Sequence, residues 1–277
     1  AGPAHVEASD VDRDGDPDLL IASMGMIMPN NDLIGSVVVL ENLGSGNFKK
    51  RVLLEKVARV TDVQAEDLDG DGDFDLAVGQ FGYFQGEIRW MENLGDWRFE
   101  SHPLLGFPGT IHTPIVDIDA DRDMDIVALV SQEWEEIHIF ENSETGFRNR
   151  VAYGSTNEDY GSSGISVADV DGDGDPDIVY TNGDAFDYIV ETPGPRPWHG
   201  VQWLENDGRG YFQFHRLGNF PGAYSPLATD LDGDKDLDLV AVSTFNDWGL
   251  RDAFSMICFE QIRPREFRKR ILATKPT

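Results

Sequence analysis

One nine-residue pattern occurs five times in this chain, with aspartate at every odd position. It reads DVDRDGDPD from Asp10, DLDGDGDFD from Asp67, DIDADRDMD from Asp117, DVDGDGDPD from Asp169 and DLDGDKDLD from Asp230. The copies start roughly 50–60 residues apart, a spacing that marks a repeat architecture. Crowded carboxylates repel one another, so each copy needs a turn that exposes them or a cation that neutralises them.

The residues after each copy repeat as well. An apolar run comes first (LLIAS, LAVGQ, IVALV, IVYTN, LVAVS), then VVVLEN, IRWMEN, IHIFEN, VQWLEN or MICFEQ. Those second runs end at Asn42, Asn93, Asn142, Asn206 and Gln261, and a turn leads into a run around Phe48, Phe99, Phe147, Phe212 or Phe267. Short runs rich in Val, Ile and aromatics, punctuated by Gly, Asn and Pro, are strands. The repeat therefore predicts four strands, A to D, with the acidic stretch as the A–B turn. A sheet that cannot bury both faces alone, repeated five times, predicts an all-β chain folded as a five-bladed β-propeller of four-stranded antiparallel blades. The blades fall at 1–55, 56–106, 107–155, 156–220 and 221–277, in one domain over 1–277. A solenoid of hairpins is the rival arrangement.

Hard divalent cations take oxygen ligands, and Ca²⁺ accepts them in flexible geometry. The candidate ligands are Asp10, Asp12, Asp14, Asp16 and Asp18 in the first turn and Asp67, Asp69, Asp71, Asp73 and Asp75 in the second. The third has Asp117, Asp119, Asp121, Asp123 and Asp125, and the fourth Asp169, Asp171, Asp173, Asp175 and Asp177. Asp230, Asp232, Asp234, Asp236 and Asp238 complete the set. Gly15, Gly72 and Gly174 at the sixth position suit a positive φ, and Arg122 and Lys235 stand there in the third and fifth turns, which predicts strain. An EF-hand needs Glu at position 12 and flanking helices. Here position 12 is Ile21, Val78, Ala128, Tyr180 or Ala241, so the loop is not an EF-hand.

With its DxDxDxxxD turns and WLEN-type third strands, the chain resembles the FG-GAP/VCBS repeat family, whose calcium loops also occur in integrin α-subunit propellers. The resemblance covers nearly the whole chain. It implies one Ca²⁺ per turn, up to five, held by the first, third, fifth and ninth residues. It does not imply one function, because such propellers serve adhesion, lectin and enzyme roles alike.

The formal charge of −29 argues against nucleic acid and anionic membrane surfaces as partners. No apolar run is long enough to predict membrane insertion. Cys258 is alone at a strand-C position, so a buried thiol is expected. Weak calcium sites suit surroundings where the ion is abundant, which predicts a secreted, periplasmic or cell-surface protein. The chain begins at Ala1, as a mature form or a part of a longer chain would.

If cations fill the A–B turns, recognition falls to the B–C loops at the other end of each blade. These vary in length, and the longest spans 182–200. Tyr83, Trp134, Asp184, Asp187, Tyr188, Trp198, His199, Tyr224 and Trp248 are the candidate ligand residues, with Phe84 and the cluster Met24, Met26 and Met28 nearby in sequence. Rings beside carboxylates suit glycan or protein ligands. Aligning the repeats also places His5, Asp62 and His112 at equivalent positions five residues before each first Asp. Two His and one carboxylate are a transition-metal set, with Glu7 or His199 as further donors. The chain has no GxSxG or HExxH, so no catalytic residue is assigned. The expected function is a non-catalytic extracellular binding module. The alternatives are an enzyme on the loop end, namely a polysaccharide lyase or hydrolase or one using a metal at the channel mouth, or an accessory domain of a larger surface or redox protein.

Overall fold

A computed structural model describes residues 2–27, 30–185 and 194–274. The expected ligand residues Asp187 and Tyr188, and Met28 of the methionine cluster, lie outside the described residues. Every regular element among the described residues is a strand. Five antiparallel sheets succeed one another in chain order, each pairing its strands in sequence.

The first sheet holds β1 (Pro3–Ser9), β2 (Asp18–Ser23), β3 (Gly35–Asn42) and β4 (Phe48–Val57). The second holds β5 (Arg59–Glu66), β6 (Asp75–Phe81), β7 (Glu87–Asn93) and β8 (Phe99–Leu105). In the third, the inner strand is split into β9 (Thr110–His112) and β10 (Ile115–Val116), both paired with β11 (Asp125–Val130), which leads to β12 (Glu136–Glu141) and β13 (Arg148–Gly154). Pro114 lies in that split and has no N–H to give the ladder. The fourth holds β14 (Ser162–Ala168), β15 (Asp177–Asn182), β16 (Gly200–Asn206) and β17 (Phe212–Asn219). The fifth holds β18 (Ala223–Thr229), β19 (Asp238–Ser243), β20 (Phe254–Arg263) and β21 (Glu266–Thr274). This is the strand plan of a five-bladed β-propeller.

The chain divides into two compact units. One comprises Ala1–Asp117, Asp121–Val130 and Glu136–Val151; the other comprises Ile118–Ala120, Ser131–Glu135 and Ala152–Thr277. In the first unit, one core packs Leu20, Val37 and Val39 of the first sheet on Val60, Val63, Val78 and Met91 of the second. A second core packs Ala77 and Ile88 on Ile126, Ala128 and Phe140 of the third sheet. In the second unit, Val179, Val201 and Trp203 pack on Leu239, Ala241, Ile257 and Phe259. Burial on both faces explains why the second strands are continuous apolar runs: every residue of β11 and β15 is buried. The outer strands instead mix exposed and half-buried positions.

A second recurring device lies between the third and fourth strands. The Glu before each terminal amide pairs with a basic or imidazole side chain on the outer strand: Glu41 with Arg51, Glu92 with His102, Glu141 with Arg150, Glu205 with His215 and Glu260 with Arg268 and Arg270. His102 and His215 also stack on Trp90 and Trp203, each at 4.7 Å between centroids. These pairs hold outer strands that bury little surface of their own. Cys258 is buried.

Candidate functional site

Each acidic turn is folded by its own carboxylates. The fifth residue's N–H donates to the third residue's Oδ1 in four turns, as from Asp71 to Asp69 at 3.0 Å. The seventh N–H donates to the fifth Oδ1 in all five, as from Asp73 to Asp71 at 2.8 Å. The first carboxylate accepts N–H groups from within the turn, for example Gly172 at 2.8 Å and Gly174 at 3.0 Å onto Asp169. In Asp12, Asp14, Asp69 and Asp71 the turn's own bond is made by Oδ1, so Oδ2 is the donor a ligand would use.

The sixth residue has positive φ in every turn: 96° at Gly15, 98° at Gly72 and Gly174, 83° at Arg122 and 82° at Lys235. Arg122 and Lys235 therefore carry the side-chain strain their sequence position implied. The fourth residue is left-handed too, including Arg13 at 58° and Ala120 at 64°. Sequence reading missed this second position, although Gly70, Gly172 and Gly233 occupy it in the other three turns and were its signal.

Three carboxylates in each turn bring one oxygen apiece within 4.8 Å of the others. They are Asp10, Asp12 and Asp14; Asp67, Asp69 and Asp71; Asp117, Asp119 and Asp125; Asp169, Asp171 and Asp177; and Asp230, Asp232 and Asp234. Hard oxygen donors at this spacing fit a calcium-sized ion. The seventh-position residues Asp16, Asp73, Asp123, Asp175 and Asp236 join none of these groups.

The ninth aspartate works mainly as a buried bracket. Asp18, Asp75, Asp125, Asp177 and Asp238 are at most 3% exposed. Asp75 accepts the N–H of Leu68 in its own turn at 3.1 Å and that of Asn93 at the end of β7 at 2.7 Å. Asp18, Asp177 and Asp238 repeat both bonds. Burial pushes the carboxyl of Asp75 up to about 6 and that of Asp177 up to about 7.

The terminal amide of the third strand completes the site. Asn142 donates to Leu68 O in the second turn at 2.5 Å and to Met124 O at 3.1 Å. Asn206 donates to Ile118 O in the third turn and to Pro176 O. Gln261 donates to Val170 O in the fourth turn and to Leu237 O. Each amide thus ties its own acidic turn to that of the preceding sheet. The recurrent Asn or Gln was visible in the sequence, but its partner lies 74 to 91 residues away.

Asp62 is brought to both histidines. His5 Nδ1 lies 2.5 Å from Asp62 Oδ1 and His112 Nδ1 lies 3.9 Å from Oδ2. Thr113 N, at the break in the inner strand, donates to Oδ2 at 2.7 Å, and Gln64 donates to Oδ1 at 3.1 Å. Burial pushes the Asp62 carboxyl up, but the His5 hydrogen bond and the His112 charge outweigh it and hold it below the carboxylate range. The hydrogen bond to Asp62 raises His5, and burial takes Glu7 up to about 7. These three residues do not gather ligand atoms as tightly as the acidic turns do.

The candidate ligand residues, on the B–C loops except for Tyr224 at the start of β18, divide by exposure. Phe84 is 82% exposed and Trp134 38%; Tyr83, Trp198, Tyr224 and Trp248 are half-buried. Asn31 accepts the Phe84 N–H at 3.0 Å, joining the first two B–C loops. Trp198 Nε1 is used on Asp159 O at 2.9 Å, and the Tyr224 hydroxyl bonds Asp184. His199, expected at the ligand end, is instead 1% exposed. Its Nδ1 accepts the N–H groups of Arg196 and Gly222, both at 3.3 Å, and burial lowers it to about 4. It is a neutral loop anchor. Sequence reading missed Glu135, 3% exposed. It accepts the N–H groups of Gly161 and Ser162, and burial takes it up to about 7.

Sheets of this plan, each with a folded acidic turn between its first and second strands, define a β-propeller built from acidic-turn repeats. The chain belongs to the FG-GAP-like repeat family, whose model matches residues 10–78, 67–128 and 117–180. A rhamnogalacturonan lyase of Bacillus licheniformis has a similar fold, with a TM-score of 0.55 and 13% identity. That match covers 96% of this chain and 50% of the lyase, so this chain spans about half its length. A β-fructofuranosidase of Schwanniomyces occidentalis, solved with fructosyl-erythritol, is more distant, with a TM-score of 0.47, 9% identity and coverage of 98% and 61%. No curated protein sequence matches the chain. No helix among the described residues is long and apolar enough to cross a membrane.

Proposed function

We propose that this chain is an extracellular propeller module stabilised by calcium in its acidic turns, and that it binds a glycan or protein through its B–C loops. The observation that carries the reading is the recurrence, in all five turns, of three carboxylate oxygens within 4.8 Å on backbone already folded around them. Crowded carboxylates of this kind are relieved by a divalent cation, and Ca²⁺ accepts the irregular oxygen shell on offer. Ions of weak affinity are retained only where calcium is plentiful, which supports a location outside the cytosol. Exposed rings on the B–C loops, Phe84 and Trp134 among them, suit sugar faces or protein side chains.

Elemental analysis and calcium titration of the purified chain test the first half: finding no bound calcium at millimolar concentrations would reject it. Glycan-array binding tests the second. An enzyme on the same loops is the second reading, favoured by the buried Glu135, whose pKa of about 7 suits proton transfer. Release of product from a bound polysaccharide would decide for it.

A further inference from the structure

We infer that Arg265 serves the fourth acidic turn as a built-in cation, keeping that turn folded without a metal ion and weakening its hold on one. The inference rests on the calcium reading of the turns.

Arg265 lies in the last hairpin, between β20 and β21, yet its guanidinium reaches the fourth turn. Its Nε lies 2.6 Å from Asp171 Oδ2, and its Nη2 lies 3.5 Å from Asp173 Oδ2 and 2.6 Å from Glu205 Oε1. The side chain of Asp171 is 2% exposed, so this pair is shielded from solvent on one side. Asp171 is also one of the three residues whose oxygens gather in that turn. A divalent ion and the guanidinium would thus compete for the same carboxylates, with like charges a few ångströms apart.

Placement of Arg265 is enforced by the backbone. The residue has φ 68°, and its N–H donates to Gln261 Oε1 at 2.9 Å. Gln261 in turn donates to Val170 O of the same fourth turn. Amide and guanidinium together clamp the last hairpin onto that turn. Among the described residues, the first, second and fifth turns have no Lys or Arg within ion-pair distance of their carboxylates. The fourth turn is therefore expected to bind calcium last, and its filling to loosen the final hairpin.

The test compares the full chain with Arg265→Gln and Arg265→Lys by calcium calorimetry and by melting in EGTA. Arg265→Gln should melt lower than the parent in EGTA yet bind its weakest calcium at least about tenfold tighter. Adding Asp169→Ala should abolish that gain, assigning it to the fourth turn, and Arg265→Lys should keep the parental affinity. In the unaltered chain, the Arg265 Nε–H resonance should be protected in EGTA and lose protection with the last calcium equivalent. Unchanged or weaker calcium binding in Arg265→Gln, or a protected Nε–H at full saturation, overturns the inference. A parent that binds no calcium at all rejects the underlying reading instead.

Discussion

The side-chain amide of Asn206, at the end of β16, lies 2.8 Å from the carbonyl oxygen of Ile118 in the third acidic turn. Asn206 is 2% exposed, and its backbone N–H is held by Asp177 in its own sheet. One residue therefore fixes two acidic turns at once. Asn206→Ala should destabilise the fold by about 1–3 kcal/mol, the cost of leaving buried polar groups unpaired. Urea denaturation measures this, and a change within about 0.5 kcal/mol would contradict the stitch.

Position within the turn should decide the effect of losing a carboxylate. Asp71 joins the oxygen group of the second turn and Asp73 does not. Asp71→Ala should therefore weaken one calcium site strongly, whereas Asp73→Ala should leave its affinity near that of the parent. Isothermal titration of the two variants separates them.

Calcium removal should lower the melting temperature, because an ion that binds only the folded chain stabilises it. Each site held at one hundred times its Kd contributes about 2.7 kcal/mol. Mg²⁺ should restore little, since it is smaller and dehydrates reluctantly. Scanning calorimetry in EGTA, then with each ion added back, gives the result directly; full rescue by Mg²⁺ would argue against calcium-shaped sites.

Lys235 holds a left-handed backbone, with φ 82°, that costs a residue with a Cβ about 1 kcal/mol relative to glycine. Lys235→Gly should therefore raise stability in calcium by up to about 0.6 kcal/mol, the strain relieved less the entropy glycine adds to the unfolded chain. A loss of stability would mean that the lysine side chain contributes something beyond its backbone.

Two buried groups give opposite pH dependences. His199 titrates near 4 when folded, below its unfolded value, so its contribution is complete above about 6.5 and is lost as pH falls toward 4. Glu135 titrates near 7 when folded, above its unfolded value, so its contribution is complete below about 4.5 and is lost as pH rises through 7. Glu135→Gln should steepen the loss of stability on acidification between pH 6.5 and 4, and His199→Asn should flatten it. Slopes of up to about 1 kcal/mol per pH unit are expected; identical profiles for both variants would sink the assignment.

Much of the fold was legible in the chain itself, for a physical reason. Strands and turns are specified locally, so the short runs rich in Val, Ile and aromatics and the DxDxDxDxD turns predicted the strand plan, and the positive φ of Arg122 and Lys235 could be inferred from the glycines of their sister turns. The hidden contacts are those between residues far apart in the chain. The bracket made by Asp75 joins residues 18 apart, and the reach of Arg265 to Asp171 spans 94. His199 looked like a ligand by composition, yet burial turned it into an anchor. The split of the third inner strand at Pro114 and the capture of the Thr113 N–H by Asp62 were both missed by sequence reading.

The ninth aspartate of each turn also limits what evolution can edit. Because in four of the five turns it grips both the second residue of its turn and the tip of the third strand, adding or deleting one residue between those points would break two buried hydrogen bonds together. At the opposite end of the sheets the loop anchors, such as His199 and Glu135, belong to single loops and do not recur from sheet to sheet among the described residues. Insertions, grafted peptides and lineage-specific extensions should therefore accumulate there, while the spacing of the nine acidic-turn residues stays fixed.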